Sequence, residues 1–86
     1  MDEIKLPVKA KDNHGYEYDV VITRAHPDPS RLRSGAPILK IKGTPGSWYF
    51  EDLMKDPSRQ VIAIDMGQGW NVINFRAVMV SAMSVI

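Results

Sequence analysis

Apolar and polar residues alternate over residues 4–10 and again over residues 16–22. Alternation with a period of two is typical of half-buried β-strands, so both segments are predicted as strands. The residues between them, Asp-Asn-His-Gly at positions 12–15, favour a tight turn. We therefore predict an antiparallel hairpin. Its first strand should lie at a sheet edge, because Pro7 cannot donate a ladder hydrogen bond.

The middle of the chain combines one strand with one short helix. Residues 37–43 alternate again and predict a third strand, which ends at a turn over residues 43–46. Ser47 then stands at a helix N-cap position, and apolar side chains follow it at helical spacing. The helix should end before Asp56-Pro57, because the residue before a proline disfavours helical backbone angles. The sequence therefore predicts a helix at about residues 47–55.

Two further strands and one ambiguous segment complete the chain. The apolar run at residues 61–64 predicts a central strand covered on both faces, and a turn at residues 67–69 leads into a strand over residues 70–75. Residues 75–86 fit a helix through an apolar stripe at 3.6-residue spacing, or a strand through their β-branched residues. We favour the strand, after a short turn. Arg76 is the only charge there, and a terminal amphipathic helix usually carries more polar residues on its outer face.

These elements predict an α+β fold in one domain. A chain of 86 residues, 44% of them hydrophobic and 24% charged, has the size and composition of a single globular domain over residues 1–86. We expect a small antiparallel sheet or partly open β-barrel of five to six strands. One short helix, at about residues 47–55, would lie across one face or end.

Charge and cysteine content narrow the classes of function. The formal net charge of +1 is too balanced to identify a nucleic-acid-binding protein from total charge. The chain has no cysteine, which excludes disulfides, cysteine-ligated zinc and thiol nucleophiles. The first residues lack the pattern of a signal peptide, and no apolar run is long enough to span a membrane. We expect a cytoplasmic protein with no membrane contact, no cofactor and no metal.

A basic surface is the first candidate binding site. Residues 24–37 contain three prolines and one glycine, which predict a long irregular loop, and loops of this length are often functional. Arginine suits bidentate contacts with phosphate or carboxylate groups. The plainer interpretation is a solvated loop whose charges pair with nearby acids. The predicted surface consists of Arg24, Arg31, Arg33, Lys40 and Lys42.

His26 and Asp28 are residue types that a small hydrolase could use. A hydrolytic site needs a histidine beside a nucleophile and an acid. His26, Asp28 and Ser30 lie close together in the sequence, but the prolines among them hold the segment extended. We therefore expect that the protein is not an enzyme, and we keep a hydrolase using His26 and Asp28 as a second alternative.

Trp48 and Trp70 are the largest apolar side chains. We expect both to be buried in so small a core, whereas an exposed tryptophan would mark an interface, since tryptophan is enriched at binding hot spots. The leading hypothesis is a non-enzymatic binding module that acts through protein–protein contact with another protein or a second copy of itself. Its apolar C-terminal segment would close the core or pair between copies in a homodimer, through Met79, Val80, Met83 and Ile86. Nucleic-acid binding by the basic surface is the alternative.

Overall fold

The computed structural model describes residues 3–26, 28–44, 46–65 and 69–86. Within these residues, eight strands form two antiparallel sheets of four strands each. In chain order the strands are β1 (Ile4–Lys5), β2 (Ala10–Asp12), β3 (Glu17–Tyr18), β4 (Val20–Arg24), β5 (Pro37–Ile41), β6 (Ser47–Tyr49), β7 (Val61–Asp65) and β8 (Trp70–Asn74). Sheet A has the order β1-β4-β5-β6, and sheet B has the order β3-β2-β8-β7.

Three helical segments accompany the sheets in the described residues: α1 (Phe50–Lys55), a 3-10 helix (Pro57–Gln60) and α2 (Arg76–Met83). The predicted α+β class is confirmed. The antiparallel arrangement is partly open, because the two sheets do not close into a barrel over this part of the chain. No helix among these is both long and apolar enough to cross a membrane.

The predicted N-terminal hairpin is confirmed, and it connects the two sheets. β1 pairs with β4 at the edge of sheet A, where Pro7 led us to expect an edge, and β2 pairs with β3 inside sheet B. The N–H of Leu6 donates to the carbonyl of Val20, and pairing resumes between Ala10 and Tyr18. Three residues of one strand, 7–9, therefore lie opposite a single residue of the other, Asp19. Such a bulge bends a strand. Each of the two predicted strands is therefore divided. This division and the unpredicted strand β6 explain why the described strands exceed the predicted five to six.

The core lies between the two sheets, and α2 packs against it. Phe75, Leu39 and Ile73 are among its largest fully buried side chains. Full burial of an apolar side chain of this size contributes about 1.5–3 kcal/mol. The buried cluster consists of Leu6, Ala10, Val20, Ile22, Leu39, Ile41, Leu53, Ile73, Phe75, Val78, Met79 and Ala82.

The helix predicted at about residues 47–55 begins later than expected. Ser47–Tyr49 form β6, which pairs with β5, and α1 follows it. Ser47 is therefore not an N-cap. Tyr49 holds that position, and its side chain makes no capping hydrogen bond to the described residues. Strand pairing and the packing of Trp48 against the core outweigh the local preference of serine for a cap.

The segment at residues 75–86 forms a helix, so the strand interpretation that we favoured is wrong. α2 turns the apolar stripe at 3.6-residue spacing toward the core, where Phe75, Val78 and Ala82 have no exposed surface. Tertiary packing therefore decides between the two patterns. The scarcity of charge on the outer face reflects apolar side chains that stay exposed, and it does not indicate a strand.

The hairpin of β7 and β8 is confirmed, while residues 67 and 68 of its predicted turn lie outside the described residues. β7 is not the central strand that its apolar run suggested, because it is the last strand of sheet B. Ile62 and Ile64 pack against the core. Val61 and Ala63 are exposed, as expected for alternate residues on the opposite face.

Candidate functional site

Arg33 of the predicted basic surface is held within the protein. Its guanidinium group donates two hydrogen bonds to the carboxylate of Asp52, at 3.0 and 3.2 Å, and forms an ion pair with Glu51 at 3.2 Å. The same group lies 4.4 Å from the centre of the Tyr49 ring. Hydrogen bonding to Asp52 raises the pKa of Arg33 and lowers the pKa of the Asp52 carboxyl. A phosphate ligand would have to displace this carboxylate to reach Arg33.

The other four basic residues differ in their surroundings. Arg24 donates a hydrogen bond to the carbonyl of Gly35 at 3.2 Å. Lys40 is half-buried within β5, in the middle of sheet A. Arg31 and Lys42 are exposed. The residues of the predicted surface are therefore not equally available to a ligand.

His26 and Asp28 bind different partners. The Nε2 atom of His26 lies 3.0 Å from the hydroxyl oxygen of Tyr49. Asp28 accepts hydrogen bonds from the backbone N–H and the hydroxyl of Ser30, at 3.0 and 2.8 Å, and these lower the pKa of Asp28. In a hydrolytic triad the histidine hydrogen-bonds its nucleophile and its acid. Here the ring nitrogen of His26 is bonded to a tyrosine.

The side chain of Tyr49 connects the irregular segment between β4 and β5 to sheet A. It contacts both His26 and Arg33, which are the described non-glycine residues with positive φ, at 45° and 61°. This backbone region is uncommon for such residues, so the contacts with Tyr49 help to hold the segment in place. The sequence predicts a helix at Tyr49 and does not reveal this role. No local signal identifies it, because the contact depends on which segments the fold brings together.

Trp48 is half-buried and belongs mainly to the core. Its ring centre lies 5.3 Å from that of Phe75, with the planes tilted by 59°. Gly46 packs so closely that a Cβ atom there would lie 2.5 Å from the Trp48 ring. The expectation that Trp48 is buried is therefore met in part, and its remaining surface lies in the groove described below.

Trp70 is exposed, so the expectation that it is buried is wrong. Its side chain is 67% exposed on the outer face of sheet B. Ile73 on the same strand faces the core, and residues at odd separation from it face outward. Val72, two residues away on the same strand, and Ala63, opposite Val72, are exposed apolar residues on this outer face, whereas Trp70 itself lies opposite Asp65. An exposed tryptophan beside other apolar side chains is typical of a binding surface.

The C-terminal apolar residues divide between the core and the surface. Met79 is buried in the core, at 3% exposure. Val80 is 70% exposed, Met83 is 55% exposed and Ile86 is 45% exposed. Core closure and surface pairing are the two alternatives predicted for this segment, and the structure presents residues suited to each.

A groove separates the last strand of sheet A from the last strand of sheet B, and we call it the seam. Its volume is about 510 Å³. Both walls contribute residues that face the core, Trp48 and Ile62, and residues that face away, Tyr49 and Val61. The seam therefore runs along the edges of β6 and β7, with α1 and the 3-10 helix beside it. Its lining residues are Ser47, Trp48, Tyr49, Asp52, Leu53, Ser58, Arg59, Val61 and Ile62.

Comparison of the chain with known protein families, curated proteins and solved structures finds no match in any of the three. Among the described residues, no group of three or more His, Cys, Asp or Glu side chains could hold a metal ion. The role of the protein must therefore be inferred from its own surfaces.

Proposed function

We propose that this protein is a non-enzymatic binding module that acts through protein–protein contact and forms a homodimer through α2. The observation that supports this most directly is the outer face of α2. Val80 and Met83 are 70% and 55% exposed there, although the opposite side of the same helix packs into the core. A helix that is apolar on both sides is usually buried on both sides, and exposed apolar patches mark interaction sites.

The charge distribution of α2 favours a second copy as the partner. Arg76 is the only charged residue of the helix, and it lies at the N-terminal end, where the helix dipole is positive. No acidic residue in the first turn offsets it. In an antiparallel pair of α2 helices, Arg76 of each copy would lie beside the negative C-terminal end of the other. Two-fold symmetry would form this contact at both ends.

The length of α2 limits the strength of the dimer. Its 8 residues span about 12 Å. The groove that adjoins α2 beside Ala77 adds little apolar surface, because Lys9, Lys11, Glu17, Asn74 and Arg76 line it together with Pro7 and Val8. A contact centred on one short helix falls near the lower end of the roughly 1,200–2,000 Å² that specific interfaces bury. We therefore expect a dimer that dissociates on dilution.

Light scattering across a range of protein concentrations tests the proposal. The wild-type mass should rise from monomer toward dimer as the concentration increases. Val80→Glu places a charge within the contact and should shift the protein to monomer. Leu32→Glu is the matched control, because it adds the same charge at an apolar residue that is 88% exposed in the loop between β4 and β5. A wild type that stays monomeric, or equal loss of dimer in both variants, contradicts the proposal.

Nucleic-acid binding by the basic surface and hydrolysis by His26 and Asp28 remain the alternative hypotheses. Arg31 and Lys42 are exposed and available to phosphate groups, whereas Arg33 is held by α1. Binding through phosphate contacts should weaken steeply as the salt concentration rises, while an apolar contact should change little. Hydrolytic activity, if present, should be lost in His26→Ala.

The cytoplasm is the proposed location. The lack of cysteine supports it, since small secreted domains commonly depend on disulfides. Fractionation of cells that express the tagged full chain checks this, and recovery outside the cytoplasm would contradict it.

A further inference from the structure

The seam is bordered by two strand edges. Within the described residues, β6 pairs only with β5, and β7 pairs only with β8. The edge of a sheet presents backbone N–H and C=O groups that can pair with another chain. Both walls of the seam therefore include strand edges able to accept a partner.

The ladder between β7 and β8 determines which backbone groups of β7 face the seam. The N–H of Phe75 donates to the carbonyl of Gln60 at 2.7 Å, so the backbone of Gln60 faces toward β8. This direction alternates from residue to residue in an antiparallel ladder, which turns the backbone groups of Val61 and Ala63 away from β8, toward the outer edge of β7 where Val61 lines the seam. The N–H of Val72, opposite Ala63, fits the same pattern. It donates at 3.0 Å to a side chain of the turn after β2, away from β7.

β7 lacks the features that protect natural edge strands from pairing. Such strands usually carry lysine or proline, contain a bulge, or are very short. β7 runs for 5 residues, Val-Ile-Ala-Ile-Asp, and carries a charge only at its last position. Its register with β8 continues without a bulge. Its edge is therefore suited to accept a further strand.

We propose that the seam binds an extended peptide segment of another protein, which adds to β7 as a further strand. A polypeptide supplies the regularly spaced N–H and C=O groups that match those of β7. One strand fits better than a second folded sheet, because β6 and α1 form an opposite wall. The volume of about 510 Å³ is that of a ligand site. This inference rests on the proposed function only in treating the protein as a protein-binding module, and it does not require the α2 homodimer.

The side chains of the seam determine which peptides it accepts. Alternate residues of an added strand point to opposite faces. One set would lie beside Trp48 and Ile62 on the core side, and the other beside Tyr49 and Val61 on the outer side. The charged residues that line the seam already form ion pairs within the protein. We therefore expect peptides with apolar residues at every second position.

A displayed library of random short peptides, selected on the full chain, tests this inference. Ala63→Pro removes an N–H at the outer edge of β7 and spares the ladder with β8, because proline is tolerated where its nitrogen points away from the sheet. Ala63→Ser is the matched control, since it keeps the N–H. Selected peptides should bind Ala63→Pro about tenfold more weakly than Ala63→Ser. In the wild type, adding peptide should slow hydrogen exchange of the Val61 and Ala63 amides.

The exchange measurement remains decisive if a thermal melt shows that Ala63→Pro does not fold. Failure to select any peptide, equal affinity for the two Ala63 variants, or exchange at Val61 and Ala63 that peptide leaves unchanged would overturn the inference. Slowing of these amides without peptide, increasing with protein concentration, would also overturn it, because a second copy would then occupy the edge. Val80→Glu separates the two proposals. It should abolish self-association and leave peptide binding unchanged.

Discussion

Replacing Gly46 with alanine tests how firmly Trp48 is held in the structure. A Cβ atom at position 46 would lie 2.5 Å from Cη2 of Trp48 and 3.1 Å from two further ring carbons. These distances are too short for van der Waals contact. The ring cannot simply turn away, because it packs on Phe75, which is fully buried. Gly46→Ala must therefore displace Trp48 or shift the start of β6.

Two opposing effects set the size of the change in stability. Overpacking costs about 1–3 kcal/mol. Gly46 has no positive φ, so alanine also stabilises by about 0.4–1 kcal/mol through the lower conformational entropy of the unfolded chain. The steric effect is the larger one. We expect Gly46→Ala to lower the free energy of unfolding by about 1–2 kcal/mol.

A double-mutant cycle measured by urea denaturation shows whether the ring is the cause. Trp48→Leu removes the ring that Gly46 contacts. In that background Gly46→Ala should be neutral, or should stabilise the protein by up to about 1 kcal/mol. If Gly46→Ala destabilises the protein equally with and without the ring, the contact with Trp48 is not the reason, and the steric explanation is wrong.

Two further predictions concern acid stability and the loop. Burial opposes ionisation of Asp12, but hydrogen bonds from the Tyr18 hydroxyl and two backbone N–H groups outweigh it and lower the pKa of Asp12 below its ordinary value of 3.8. Stability that is present above pH 3.8 is therefore lost as the pH falls through the lower folded-state pKa. Asp12→Asn should make urea stability less pH-dependent between about pH 2 and 4, and an unchanged slope would contradict this. Arg33→Asn should speed amide exchange at Gly35 because the loop loses its contact with α1, whereas Arg31→Asn should not. Equal exchange rates in the two variants would show that the ion pair does not hold the loop.

Local pattern was sufficient to predict the N-terminal hairpin. The alternation over residues 4–10 and 16–22 records which side chains face the core, and this fixes both strand character and pairing. It could not reveal the bulge opposite Asp19. The bulge bends the hairpin so that its two halves join different sheets. The residue pattern of one strand does not show that its ends belong to two sheets.

The two α-helices show where local pattern is insufficient. Ser47 has the residue type of an N-cap, yet it pairs in β6, because Trp48 gains more by packing against the core than the helix gains from a cap. Residues 75–86 carry a helical stripe and a β-branched run at once. The stripe prevails only because Val78 and Met79 meet a core built from distant segments.

The sequence predicts which residues belong to the candidate site, but it does not predict which partners they contact. The sequence identified the long loop and its arginines, but Arg33 binds a carboxylate 19 residues away, on α1. Whether an arginine is free for a ligand depends on such contacts. The exposure of Trp70 could not be predicted from the sequence either. The register of its strand decides which face each side chain occupies, and the sequence alone does not give that register.

The run Val-Ile-Ala-Ile of β7 predicts a central strand, because a strand that is apolar on both sides is usually buried on both sides. The structure places the strand at an edge instead, with Ala63 paired to the exposed Val72 on the outer face of sheet B. α2 repeats the situation, since Val80 remains exposed opposite a fully buried side. In both elements the sequence specifies two apolar faces, and the described residues cover one of them. Departures from local consistency of this kind are expected at functional sites.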